Sequence, residues 1–142
     1  MATETKTLAK CRVVSSAAEY EGKQGPMYAG GVSAESVGAN AIWLGVIKVP
    51  PGGRTKAHYH ANHETAIYVL IGQSEMWSGE NLEEHHFAGA DEYIYIPAGV
   101  SHIAINLSDT EPLIAVAART DPNEQESVVL QPELDAKAVS RA

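Results

Sequence analysis

The sequence predicts an all-β fold, a mainly antiparallel barrel or sandwich with little helix. Short runs rich in β-branched and aromatic residues recur along the chain. Turn residues separate these runs, as at Pro50-Pro51-Gly52-Gly53 and Pro97-Ala98-Gly99. No long amphipathic helical pattern comes before the C-terminal end. Many short strands with breakers at this spacing are typical of β-barrels and β-sandwiches.

The predicted elements follow one another from residue 41 onwards. Seven strands are expected, at Ala41–Val49, Thr55–His60, Thr65–Ile71, Ser74–Trp77, Glu92–Ile96, His102–Leu107 and Leu113–Arg119. A weaker short strand is predicted at Cys11–Val14. The only helical candidate is Pro132–Val139, because proline can occupy the first turn of a helix. We therefore expect an N-terminal arm or edge strand over residues 1–24, a barrel over 25–131 and a C-terminal tail over 132–142.

Length and composition indicate one domain. The 142 residues, 44% of them hydrophobic, are enough to bury a single core. Cys11 is the only cysteine, so no internal disulfide is expected. The polar start MATETKTLAK lacks the apolar core of a secretory signal, which predicts a cytoplasmic location.

The charge and the length of the apolar runs exclude two classes of partner. The formal net charge is -8 and the sequence pI is about 5.1, which disfavours nucleic acid. The longest apolar runs have the length of strands, far short of the ~20 residues that span a bilayer. We expect neither a nucleic acid nor a membrane partner.

Three of the six histidines lie in the stretch KAHYHANHETAIYVLIG, which runs from Lys56 to Gly72. His58 and His60 are two residues apart, so on a strand their side chains leave the same face. Two imidazoles on one face can chelate a single ion. Without further signals, the alternative is that the two histidines are ordinary surface residues that bind no ion.

The surrounding residues resemble the two sequence motifs of the cupin superfamily. Gly52, His58, His60 and Gly72 match the first motif, which is a glycine, five residues, His-x-His, three or four residues, a glutamate, six residues and a glycine. The segment from Pro97 to Asn106 matches P-x-G-x2-H-x3-N, half of the second motif, and includes His102. The resemblance covers roughly residues 40–120.

This resemblance implies a small jelly-roll barrel, commonly a homodimer, with one divalent metal ion inside. His58, His60 and His102 would be its ligands. Apolar strands such as Ala41–Val49 also favour a homodimer, since one small barrel cannot cover them all.

The motif glutamate is the point at which the sequence departs from the pattern. Counting back from Gly72 places Thr65 in the glutamate position, with Glu64 one residue early. Period-two geometry then points Glu64 away from the ion, unless a β-bulge turns it inward. Three ligand sets remain open: the three histidines with water, the same set completed by His63, or the same set completed by Glu64. We favour Glu64.

Some other polar residues near the motifs have less specific roles. Arg54 and Lys56 lie on the same strand face as His58, so either is a candidate to meet a substrate carboxylate. The alternative for both is an ordinary solvated position at the end of a strand. His85 and His86 are predicted to be surface residues.

The motifs favour an enzyme that acts on a small oxygenated organic molecule. Fe(II) or Mn(II) is the preferred ion, and Zn, Ni or Cu are alternatives. The ion would serve as Lewis acid or oxygen activator. Dioxygenase chemistry comes first, and isomerase or lyase chemistry second. The alternative is a non-catalytic module that binds a small ligand or senses a metal. No catalytic residue is predicted, because the fold does not choose the reaction.

Overall fold

The computed structural model describes residues 9–141, which form two antiparallel sheets and two helices. The elements of this part of the chain are β1 (Tyr20–Glu21), β2 (Met27–Val32), α1 (Ala34–Val37), β3 (Trp43–Val49), β4 (His58–His60), β5 (Thr65–Ile71), β6 (Gln73–Ser78), β7 (Glu84–Gly89), β8 (Tyr93–Ile96), β9 (His102–Asn106), β10 (Leu113–Arg119), β11 (Val128–Leu130) and α2 (Pro132–Arg141). The predicted all-β class is confirmed.

The strand order places both cupin-like motifs in neighbouring strands. One sheet has the order β1-β2-β3-β10-β5-β8, and the other has the order β11-β4-β9-β6-β7. Strand β4 from the first motif pairs with β9 from the second, with His58 opposite His102. The edge strands β7 and β8 belong to different sheets, so these are two separate sheets rather than one closed barrel.

The predicted strands from residue 41 onwards are all present, two of them with the predicted bounds, Thr65–Ile71 and Leu113–Arg119, and the other five with shifted ends. The largest change is at Thr55–His60, where only His58–His60 forms a strand. The prediction of a strand at Cys11–Val14 is wrong, because these residues lie outside any strand and are exposed. The first eight residues of the predicted arm lie outside the described residues. Its end, Tyr20–Glu21, is an edge strand that pairs with β2.

Sequence patterns missed β2, β7 and β11 for physical reasons. Strand β2 contains Gly30 and Gly31, which have low strand propensity. Strand β7 is exposed over its first four residues and has no alternating apolar pattern. Strand β11 has only three residues, and it is held by pairing with β4.

The core lies between the sheets and beneath α2. Buried apolar side chains of the six-stranded sheet include Trp43, Val69 and Ala117. Helix α2 begins at the predicted Pro132, and its buried Leu134 belongs to the same apolar cluster as Ile103. No helix among residues 9–141 is long and apolar enough to cross a membrane.

Candidate metal centre

Three histidines converge between the two sheets. Strand β4 alternates in burial, so His58 and His60 point inward while Tyr59 is only partly covered. His102 lies directly opposite His58 on β9, and their ring centroids are 4.3 Å apart. The rings of His60 and His102 are 4.9 Å apart. Each histidine offers one ring nitrogen, and these nitrogens all lie within 4.8 Å of one another.

Hydrogen bonds to the backbone fix the tautomers of two of these imidazoles. His58 Nδ1 lies 2.6 Å from the carbonyl oxygen of Lys56, and His102 Nδ1 lies 2.9 Å from that of Val100. A carbonyl oxygen only accepts, so Nδ1 carries the proton in both rings. The lone pair is therefore on Nε2. A hydrogen bond from the ring nitrogen that does not bind the metal is the usual way of orienting a metal-binding histidine.

The third imidazole is held by a side chain instead. His60 Nδ1 lies 3.2 Å from the hydroxyl oxygen of Thr65. Thr65 is buried and occupies the position that the motif gives to glutamate. The residue in the glutamate position therefore orients a histidine.

Burial keeps all three imidazoles neutral near pH 7. Burial lowers the pKa of His58 to about 4, and it lowers the pKa values of His60 and His102 to about 3. Neutral imidazoles are good ligands for iron, zinc, copper and nickel. Their orientation and protonation state therefore fit a divalent metal ion.

The histidines line a cavity whose other walls are largely apolar. The cavity has a volume of about 80 Å³, and its apolar lining includes Ile47, Val49, Ile67, Val69, Met76, Ile94, Ile96 and Leu113. Polar side chains gather at one end, namely Gln24, Arg119 and Glu126. The cavity thus combines an imidazole cluster, a charged end and an apolar wall.

The structure corrects the prediction that Glu64 turns inward. Glu64 is exposed, and its Oε1 accepts a hydrogen bond of 2.7 Å from the hydroxyl of Tyr95. Strand β5 pairs regularly at Thr65, and the irregularity on the β10 side lies at Ile114/Ala115, the other end of the strand. No bulge re-aims Glu64, so the register counted from Gly72 holds.

His63 is buried, but its Nε2 faces a carboxylate. It lies 2.8 Å from Glu126 Oε1, and its Nδ1 lies 3.7 Å from Asp121 Oδ2. An ionised carboxylate only accepts, so His63 Nε2 carries a proton. This nitrogen has no lone pair for an ion while that hydrogen bond is in place.

Sequence analysis missed Glu126, a buried carboxylate at the polar end of the cavity. Its burial raises its pKa, but the His63 hydrogen bond and the charge of Arg119 outweigh this effect and hold the pKa at about 2. Glu126 lies between β10 and β11, outside both motifs, in an acidic stretch that resembles a solvated loop. Nothing in that stretch distinguishes Glu126 from its exposed neighbours.

The two predicted substrate-binding cations do not line this cavity. Arg54 Nη1 lies 3.2 Å from Asp135 Oδ1 of α2, and Lys56 is exposed. The cation in the cavity wall is Arg119, whose guanidinium lies 3.9 Å above the ring of Trp43. Strand β4 begins only at His58, so the two-residue alternation that would place Arg54 and Lys56 on the face of His58 does not extend to them.

A second, larger cavity of about 430 Å³ adjoins the first. Residues of the edge strands β7 and β8 line it, including Phe87, Tyr93 and Tyr95. Both cavities are lined by Met76, Ile94, Ile96 and His102. The outer cavity, whose lining also includes Ser78, Glu84 and His86, therefore adjoins the histidine cluster at His102.

Two packed antiparallel sheets with three inward histidines define a double-stranded β-helix protein with a candidate metal centre. The sequence model of the family described as "Cupin domain" matches residues 45–118, just over half of the chain. The chain belongs to the cupin family.

A curated relative and several solved structures are similar to the chain. "Polyketide synthase CurC" from Streptomyces cyaneus is 32% identical over 77 residues, which is 54% of this chain and 47% of that protein. The match thus spans about half the length of this relative.

The solved structures show the fold alone, because their identities are low. An uncharacterized conserved protein with a double-stranded β-helix domain from Klebsiella pneumoniae has a TM-score of 0.61 and 21% identity, covering 74% of this chain and 78% of that one. Oxalate decarboxylase from Lactobacillus farciminis has a TM-score of 0.66 and 19% identity, covering 88% of this chain and 38% of that one.

Proposed function

We propose that the protein is a metal-dependent enzyme that acts on a small, oxygenated and largely apolar organic molecule. One observation carries the proposal: three neutral imidazoles with anchored Nδ1 atoms converge on a cavity with apolar walls. Burying three imidazoles is unfavourable without a partner for their lone pairs. A bound ion is that partner.

His58, His60 and His102 would hold the ion through their ring nitrogens. A divalent ion in this position supplies Lewis-acid or oxygen-activating chemistry to an oxygen-bearing ligand. Fe(II) or Mn(II) is the preferred ion, with Zn, Ni or Cu as alternatives. Dioxygenase chemistry is the first candidate, followed by isomerase or lyase chemistry.

The cavity walls favour a substrate with an apolar body. Oxalate, which the Lactobacillus farciminis neighbour is named for, is a small dianion that would meet mostly apolar side chains here. The only cation in the described lining, Arg119, already faces Glu126. The name of the Streptomyces relative supports a polyketide-type molecule, whose carbon skeleton is apolar and carries carbonyl or enol oxygens.

Two buried polar atoms favour a second polar contact with the substrate. Among residues 9–141, Arg119 Nε and Gln24 Oε1 are buried without a hydrogen-bond partner, and both residues line the cavity. Unsatisfied buried polar groups are rare in native proteins. A ligand hydroxyl or carbonyl next to them would satisfy one donor or one acceptor.

The test is a substrate screen on Fe(II)- and Mn(II)-loaded protein. Oxygen uptake and product chromatography would follow small diketones, cyclic enols and oxalate, with His102→Ala as the metal-site control. We expect turnover of an apolar diketone or enol, none of oxalate, and none by the variant. Binding without turnover would identify the alternative, a non-catalytic ligand-binding module. Turnover of oxalate alone would contradict the proposed substrate class.

We also propose that the protein is a homodimer, formed through the outer face of the six-stranded sheet. Leu44 and Tyr95 lie in one row of paired residues across this sheet, with Ala118 and Ala66 between them. Leu44, Leu70, Tyr93 and Tyr95 are all exposed. An apolar face that extends over several strands is typical of a protein interface.

A further inference from the structure

When His60 Nδ1 donates its proton to the Thr65 hydroxyl, Glu126 and His60 place two electron-rich atoms opposite each other inside the protein. Glu126 Oε1 lies 3.8 Å from His60 Nε2, and both side chains are buried. This separation is too long for a hydrogen bond, so no proton is shared between the two atoms. A cation between a carboxylate oxygen and the lone pair of a neutral imidazole nitrogen would stabilise both atoms in this buried position.

The carboxylate of Glu126 is held in place from its other sides. Its Oε1 accepts a hydrogen bond from His63 Nε2 at 2.8 Å, and its Oε2 accepts one from Gln24 Nε2 at 2.8 Å. Arg119 Nη1 lies 3.5 Å from Oε2. A carboxylate oxygen can accept more than one hydrogen bond, so Oε1 retains electron density for an ion.

The charge of Glu126 acts on the whole histidine cluster. Burial is the largest effect on the pKa values of His58, His60 and His102, and it lowers all three. Glu126 opposes this effect at each of the three rings. The negative charge of Glu126 therefore favours a positive charge at the histidine cluster.

We propose that Glu126 is the carboxylate ligand of the metal centre, and that His63 positions this carboxylate without binding the ion. The proposal rests on the proposed metal site. Two donors that are each about 2.1 Å from one ion lie roughly 3–4 Å apart, which agrees with the 3.8 Å between Glu126 Oε1 and His60 Nε2. His60 belongs to both possible ligand groups, so Glu126 would reach the ion of the three histidines by a shift of its carboxylate towards His58 and His102. The ligand thus comes from the segment between β10 and β11, whereas the motif position on β5 holds Thr65.

A competing arrangement uses the same side chains differently. His60, His63 and Glu126 also bring one ligand atom each within 4.8 Å of one another. An ion there would need the lone pair of His63 Nε2 and would break its hydrogen bond to Glu126. It would also leave the lone pairs of His58 and His102 unused. The two arrangements predict opposite effects for a change at His63.

The experiment is titration of the metal-free 142-residue protein with Mn²⁺ and Co²⁺ by calorimetry. Glu126→Gln should weaken binding at least ~10–100-fold, the loss expected even for an outer-shell partner. Glu124→Gln is the matched control, because Glu124 lies in the same segment and its carboxylate accepts a hydrogen bond from Trp43 instead. Glu64→Gln is the second control. Neither control should change the affinity.

Two further variants keep the proposal open to disproof. Glu126→Asp keeps the charge next to Arg119 but withdraws the oxygens, so it should fold and still lose affinity. His63→Gln can still donate a hydrogen bond to Glu126, so its affinity should stay within a few fold of wild type. A loss for His63→Gln as large as that for His60→Ala would overturn the proposal in favour of the competing arrangement.

The remaining outcomes separate this proposal from the proposed function. Absence of Mn²⁺ and Co²⁺ binding by the wild-type protein would overturn the metal site itself. Wild-type binding that Glu126→Gln and Glu126→Asp leave unchanged would overturn the role of Glu126 alone.

Discussion

His58 and His102 face each other across β4 and β9, and each ring donates its Nδ1 proton to a backbone carbonyl two residues earlier in the chain. The two strands come from different sequence motifs that are more than 40 residues apart. The carbonyl contacts give both rings the same tautomer, with both Nε2 lone pairs available to an ion, and the strand pairing brings the two rings together. The backbone thus sets the chemistry of these two side chains before any ligand binds.

Thr65 should affect the metal centre through His60. Thr65→Val removes the hydroxyl that lies 3.2 Å from His60 Nδ1 while preserving the shape of the side chain. Loss of this outer-shell hydrogen bond should weaken metal binding by about 10–100-fold. Calorimetric titration measures it, with Thr120→Val as a control, because Thr120 lies next to Arg119, the residue paired with Thr65, but its hydroxyl accepts a hydrogen bond from the Glu64 N–H and not from His60. An unchanged affinity would show that His60 needs no partner at Nδ1.

The stability of the metal-free protein should fall as the pH is lowered from about 6.5 to 5. An unfolded histidine has a pKa of about 6.5, whereas burial lowers the folded pKa of His58 to about 4. The values for His60 and His102 are lower still, at about 3. In this window the unfolded chain binds more protons than the folded one, so the free energy of unfolding decreases as the pH falls. The slope approaches about 1.4 kcal/mol per pH unit for each such histidine.

Urea denaturation at closely spaced pH values measures this slope. Glu126 does not affect the slope in this window, because the window lies above the usual pKa of glutamate. Since folding lowers the pKa of Glu126, its effect on the free energy of unfolding lies at lower pH. His102→Gln should reduce the slope. A free energy of unfolding that is constant between pH 6.5 and 5 would show that the histidines are not buried as described.

Arg119 should be far more important for stability than Arg54. Arg119→Met breaks its buried pair with Glu126 and its contact with Trp43, so it should destabilise the fold by about 3–5 kcal/mol. Arg54→Met removes a partly exposed ion pair with Asp135, and should cost about 0–1 kcal/mol. Urea denaturation of the two variants gives the comparison. Equal effects would contradict the buried placement of the Arg119 charge.

The outer sheet face gives a prediction about assembly. Leu44→Glu places a charge at one end of the residue row that forms the proposed dimer interface, and should produce a monomer by sedimentation analysis. Val13→Glu is the matched control, because Val13 is exposed and lies outside any strand. A wild-type protein that sediments as a monomer at all concentrations would contradict the proposed dimer.

The positions of the strands could be predicted, because hydrophobic alternation and turn residues are local signals. The two motifs predicted that the strands with His58 and His102 would meet. The position of His58, His60 and His102 on inward faces followed from period-two geometry and from the motif spacing. The direction of Glu64 also followed from that geometry, and the prediction of a bulge was wrong because β5 pairs regularly at Thr65.

The roles of Glu126 and Arg119 could not be predicted in the same way. Both depend on contacts between residues that are distant in sequence, such as the hydrogen bond from Gln24 to Glu126. A glutamate in an acidic connecting segment has no local pattern that marks it as buried. Strand periodicity can place Arg119 on a face, but it does not reveal that Trp43 and Glu126 accommodate its charge.

The most direct test of the central claim is the metal content of the purified protein, measured by elemental analysis for the wild type and for His58→Ala, His60→Ala, His102→Ala and His85→Ala. His85 is a suitable control, because it lies on exposed β7 and its Nε2 is 2.6 Å from Glu75. We predict about one divalent ion per chain in the wild type and in His85→Ala, and a loss of most of it in each of the other three variants. Full metal content in His102→Ala would contradict the proposed centre.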